Sequence, residues 1–144
     1  MAYCSTADCE AKAGGSARLI ELTDDAGAGT LNTTVLDAAI AEATAWIDSY
    51  AAPRYSTSFV TVPSMVRWLA ADETIYLLKQ RRSMLLDEDR TKREDRLAWL
   101  RDLSKGLVGA GADPVPPASS SVAAVILERD EDEDVSRDAL KGFW

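Results

Sequence analysis

The sequence predicts a mainly α fold: a four-helix bundle with one short extended segment and a long C-terminal arm. Three observations carry this. Apolar residues recur at intervals of three and four along three long stretches, which places them on one face of a helix. Helix-breaking and capping residues stand at the ends of those stretches, Pro53, Pro63 and Gly106 being the clearest. After Gly106 the composition changes to a Gly, Ala and Pro linker, one short apolar run and the acidic block 130–134. The chain therefore divides into a helical domain, 1–106, and an arm, 107–144.

The elements follow in order. Ser5 with Asp8 three residues on reads as a hydroxyl cap and capping box, opening a short helix that stops at Gly14-Gly15. Residues 16–22 form a second short turn or helix, and 23–32 a loop rich in Asp, Gly and Ala. Thr33 or Thr34 caps the first long helix, with Asp37 completing a box from Thr34. Its apolar face is Leu36, Ile40, Ala43, Ile47 and Tyr50, and Pro53 ends it. The stretch 54–62 is β-branched and aromatic, hence extended, as a loop or a short hairpin arm.

Pro63 then opens a second long helix, where its missing N–H costs nothing. Val66, Leu69, Ala70, Tyr76 and Leu77 mark its buried stripe, which runs to about Arg82. The fourth helix runs from about Arg90 to Lys105. Its first half is solvated, Leu97, Leu100 and Leu103 face inward, and Gly106 takes the C-terminal cap position. In the arm, 112–117 is a stiff Pro-rich linker and 121–127 a candidate strand. A lone strand needs a ladder partner, which 54–62 or another subunit would supply.

Composition narrows the function. A chain of 144 residues, 47% hydrophobic, makes one domain with a real core. No apolar run approaches the roughly 20 residues of a membrane span. The first residues lack the basic and apolar regions of a signal peptide, so the protein is expected to act where it is made. There is no histidine. The commonest general base, the usual metal ligand and every Ser-His or Cys-His dyad are thereby removed, and no enzyme is expected.

Cys4 and Cys9 match no zinc spacing and are expected to be reduced, with a minor structural role. The loop from Asp24 has Ala26 and Ala28 at the third and fifth positions and Val35 at the twelfth, so it lacks the ligands of a calcium loop. Gly27-Ala28-Gly29 has neither the lysine nor the preceding strand of a phosphate loop. No catalytic residue, cofactor or metal is expected.

The net charge of −8 is unevenly spread. Residues 1–62 carry 3 basic and 8 acidic side chains, 63–106 carry 10 and 8, and 107–144 carry 3 and 8. An acidic protein does not wrap phosphate backbones as its main work. A basic middle between acidic ends does suit copies of one chain meeting head to tail. The patch 79–82, with Arg81 and Arg82, reads as a contact for DNA phosphates or an acidic partner, or as cations at a helix C-terminus. The patch 90–96 reads as a solvated helix face. Trp46, Trp68 and Trp99 are assigned to the core or to helix–helix contacts. In the arm, Leu140, Phe143 and Trp144, with Arg137 beside them, have no local helix to hold them and are expected to dock on another chain.

Several segments together resemble a known family. They are the opening Met1-Ala2-Tyr3-Cys4-Ser5-Thr6-Ala7-Asp8, the Asp/Gly loop after Leu22-Thr23-Asp24, and Ile47-Asp48-Ser49-Tyr50 with Arg54-Tyr55. Val62-Pro63 follows, then Ala98-Trp99-Leu100-Arg101-Asp102-Leu103-Ser104-Lys105-Gly106 and Ser136-Arg137-Asp138-Ala139-Leu140-Lys141-Gly142-Phe143. In order and spacing the chain resembles the head–tail adaptor (connector) proteins of Mu-like tailed bacteriophages. The resemblance implies a four-helix adaptor that forms a ring of about twelve copies beneath the portal of a filled capsid. Its partners would be further copies of itself, the portal, and a stopper or tail terminator protein. DNA would pass the channel without sequence-specific binding, and no membrane is involved. The ring would be assembled in the host cytoplasm and reside in the virion neck. Two other readings compete: a tail-completion protein, which should carry a β-sheet core, and a small acidic regulator that binds a basic protein.

Overall fold

The structure, a computed structural model, describes residues 1–115. The candidate strand 121–127, the acidic block and Arg137, Leu140, Phe143 and Trp144 lie outside the described residues. Two short helices, α1 (Thr6–Ala13) and α2 (Ser16–Thr23), precede three long ones, α3 (Thr33–Ala51), α4 (Ser64–Arg81) and α5 (Asp87–Lys105). The described residues are thus mainly helical and contain no strand. None of these helices is long and apolar enough to cross a membrane.

Local chemistry explains where α1, α3 and α5 start. Ser5 Oγ accepts the Asp8 N–H at 3.3 Å while the Asp8 carboxylate accepts the Ser5 N–H at 2.8 Å. This reciprocal box satisfies two of the N–H groups a helix start leaves unpaired. The expected cap of α3 is displaced. Asn32, not Thr33 or Thr34, caps it, its Oδ1 accepting the Val35 N–H at 3.2 Å. Asn32 also donates its own N–H to Thr23 Oγ1 at 3.4 Å, which ties the cap to the end of α2. The last helix starts at Asp87, three residues before the expected Arg90. Its first turn holds Asp87, Glu88 and Asp89, acids favoured beside the positive end of the helix dipole, and the Leu86 N–H donates to Asp89 at 3.0 Å.

The most extensive helix pair is α3 with α4; α1 and α2 pack together against α4, and α5 closes on α3. Leu19, Leu22, Leu36, Ile47, Val66, Leu78, Leu100 and Leu103 are fully buried between them. Each such side chain contributes roughly 1.5–3 kcal/mol through removal from water. Of the α3 alanines, Ala39 and Ala43 are buried.

The stretch expected to be extended, 54–62, runs instead through turns and bends. With no ladder partner among the described residues, it buries its aromatic rings by turning. Tyr55 and Phe59 enter the core with ring centroids 5.8 Å apart, and Ser58 between them takes a positive φ of 65° that no strand allows. The chain also stays on the domain after Gly106. Ala110 is buried and donates its N–H to Tyr55 Oη at 3.1 Å, and Val115 donates to the Arg54 carbonyl at 2.8 Å. Packing therefore continues nine residues beyond the boundary expected at Gly106. Gly106 suits this turn, since its φ of 77° lies in the left-handed region that glycine enters without strain.

The first residues form part of the core. Tyr3 is buried against Phe59, its N–H donates to Thr44 Oγ1 at 3.3 Å, and its hydroxyl donates to Asp48 while accepting the Ser58 N–H. Burial first, and the bond to Asp48 second, push the Tyr3 phenol up to about 12. The sign follows: a raised folded-state value means the fold holds the proton more tightly than the open chain. The resulting stability is complete below the ordinary tyrosine range near 10 and is lost as pH rises towards 12. We expect the melting temperature of the wild type to fall more steeply across that window than that of Tyr3→Phe, as followed by circular dichroism.

Candidate protein–protein interface

The two basic patches singled out from the sequence have different fates. Arg81 and Arg82, at the end of α4, converge on Asp25 in the α2–α3 loop at 2.5 and 3.2 Å. Arg81 also donates to the Leu22 carbonyl at 3.1 Å, and Arg82 to the Glu21 and Asp24 carbonyls at 2.8 and 3.1 Å. Both guanidinium groups thus close off the C-terminal end of α2, where backbone carbonyls lack helical partners. Arg81 chiefly holds the Asp25 carboxyl below its usual range. Part of each side chain remains at the surface, so this cluster presents a compensated ion network rather than bare positive charge.

The patch 90–96 is not simply solvated. Arg93 and Arg96 turn inward from α5 onto Glu73 of α4, whose side chain is 1% exposed, at 2.8 and 3.4 Å. The Arg93 guanidinium also lies over Tyr76 at 4.6 Å and Trp46 at 5.2 Å. A buried carboxylate must be paired, and this requirement overrides the solvation expected for a run of charges. Arg90, Arg93 and Leu97 then line one wall of an open cleft of about 320 Å³, with Trp46, Tyr50 and Tyr76 on the other side. Trp46 meets Tyr50 edge-on at 5.8 Å.

The tryptophans also divide. Trp46 and Trp99 are half-buried against the core, as expected. Trp68 is not: it is 51% exposed, and Met65, three residues earlier on the same face of α4, is 45% exposed. Lys12 stands 4.5 Å over the Trp68 ring and is held there by Asp72 at 3.0 Å. Exposed Trp and Met with a flanking cation have the composition of an interface anchor. The sequence signal was present, because positions 65 and 68 fall off the stripe 66, 69 and 70.

Asp24, first residue of the rejected calcium loop, spends its carboxylate on the Ala28 and Gly29 N–H groups at 3.0 and 2.6 Å, which hold it below its usual range. Among the described residues no group of three or more acidic or cysteine side chains is placed to hold a metal ion.

Residues 3–127 match the family described as Bacteriophage Mu, Gp36. No curated protein matches the chain.

Proposed function

The chain belongs to the Bacteriophage Mu, Gp36 family, and from that premise we propose that this phage structural or morphogenesis protein is a head–tail adaptor. It assembles into a ring between the portal and the stopper or tail proteins and catalyses no reaction. The observation that carries the reading is the family match, which takes in all five described helices. Two features support it: the exposed Met65 and Trp68 of α4, and a basic middle flanked by acidic ends, which favours contact between unlike faces of successive copies. The lack of histidine supports a structural rather than catalytic role.

In this reading the chain beyond Val115 reaches a neighbouring copy or the portal and packs Leu140, Phe143 and Trp144 there, with Arg137 at the rim. Arg81 and Arg82 offer the ion network at the end of α4 to the adjoining subunit. Arm docking makes ring closure cooperative, because each copy is completed by another.

Electron microscopy of the full chain mixed with portal particles of its phage tests this. Rings seated on the portal are expected. A protein that stays monomeric and unbound would overturn the adaptor reading. Removing 136–144 is expected to leave filled heads without tails, and normal yields of joined particles would overturn the docking arm.

A further inference from the structure

Cys4 and Cys9 are the only cysteines of the chain, and the turn capped by Ser5 brings them together. Their sulfurs lie 3.8 Å apart, both thiols are free, and both are buried. The two are not equivalent. Cys4 lines an open cleft of about 600 Å³, between the first residues and α3, whose walls include Met1, Ser5, Asp37 and Thr44. Cys9 does not reach that cleft and is completely buried, against 6% exposure for Cys4. The hydrogen bond between them draws the Cys4 thiol below its ordinary range and, with burial, pushes Cys9 up.

We propose that Cys4 and Cys9 form a dithiol redox pair, with Cys4 the attacking and Cys9 the resolving sulfur, closed by a small disulfide such as oxidised glutathione that enters through the cleft beside Cys4. The Cys4 thiolate attacks one sulfur of the disulfide, forms a mixed disulfide and expels one thiolate. Cys9 then gives up its proton to that thiolate, and its sulfur attacks Cys4, expelling the second. The protein loses two electrons and two protons; the small disulfide is reduced to two thiols. Sulfurs now 3.8 Å apart must close to about 2.05 Å.

Cys4 suits the first step because the residue borders the cleft and its thiol, which also meets Thr74 Oγ1 at 3.7 Å, is the more readily ionised of the two. The product would tether the segment carrying Tyr3 to α1. A reducing cytoplasm keeps such a pair open, and an oxidising medium closes it. This inference stands apart from the adaptor reading.

The test treats the full, folded chain with excess oxidised glutathione, denatures and alkylates it, and measures the intact mass. The wild type is expected to become two hydrogens lighter, with no alkyl group and no retained glutathione. Cys9→Ser is expected to stop with one glutathione on Cys4, and Cys4→Ser to react at least about tenfold more slowly. The proposal is overturned if the wild type keeps two alkylatable thiols, if glutathione appears first on Cys9, or if closure is no faster than global unfolding measured by hydrogen exchange. The wild-type result decides the matter even where a variant folds poorly.

Discussion

Replacing Glu73 with alanine is expected to destabilise the domain by about 3–5 kcal/mol, the cost of leaving buried charge without its partner. Glu73 is 1% exposed and its carboxylate holds Arg93 at 2.8 Å and Arg96 at 3.4 Å. Without it, the Arg93 and Arg96 guanidinium groups lose their carboxylate partner beside the Tyr76 ring. Arg96 is the worse placed, at 13% exposure, and its Nε already has no partner. The arrangement also joins three helices, because Glu73 is on α4, the arginines are on α5 and the Trp46 ring that Arg93 covers is on α3.

Denaturant unfolding of the single variants and of a triple variant, Glu73→Leu with Arg93→Met and Arg96→Met, separates two explanations. If the penalty comes from orphaned charge, the triple variant should recover most of the loss, since apolar replacements of similar volume are often neutral. If Glu73→Ala costs less than about 1 kcal/mol, the pair is worth no more than a surface ion pair and the argument fails.

The second large effect is expected at Tyr3. Truncation to alanine should cost about 3–5 kcal/mol, the range for removing a buried aromatic ring and leaving a cavity. The ring packs on Phe59, and its loss also removes the hydroxyl links to Asp48 of α3 and to Ser58 in the 54–62 segment. Tyr3→Phe keeps the packing and removes only the hydroxyl. About 1–3 kcal/mol is expected there, because Asp48 and the Ser58 N–H each lose a partner. Equal losses for the two variants would mean that hydrogen bonding, not packing, holds the first residues in place.

Much of the fold could be read from residue order, and the reason is local. The Ser5 and Asp8 box, Pro63 before α4 and Gly106 after α5 act through neighbours within a turn, so their meaning does not depend on the rest of the molecule. The stripes Leu36, Ile40, Ala43, Ile47 and Val66, Leu69, Ala70 are equally local, since helical periodicity alone puts them on one face. The starts of α3 and α5 differ from expectation by one to three residues, because Asn32 rather than a threonine caps α3 and the acids 87–89 form the first turn of α5.

What residue order did not reveal was which charges turn inward. Glu73 stands in the middle of the α4 stripe, at the spacing that continues 66, 69 and 70, and that position was the available clue. Its partners lie 20 and 23 residues away on another helix, a separation no local pattern encodes.

By itself, the sequence determined a mainly helical chain, the ends of its long helices to within about three residues and much of its core stripes, all of which follow from short-range geometry. Only the tertiary structure decided the rest. It put Tyr3, Tyr55 and Phe59 into one aromatic core, folded 54–62 into turns, carried the chain past Gly106 to Val115, set Arg93 and Arg96 on Glu73, left Trp68 in solvent and brought the two thiols to 3.8 Å. The physical reason is common to most of these. Burying an aromatic ring or a charge depends on what other helices bring to the same place, and that partner is chosen by packing in three dimensions, not by distance along the chain.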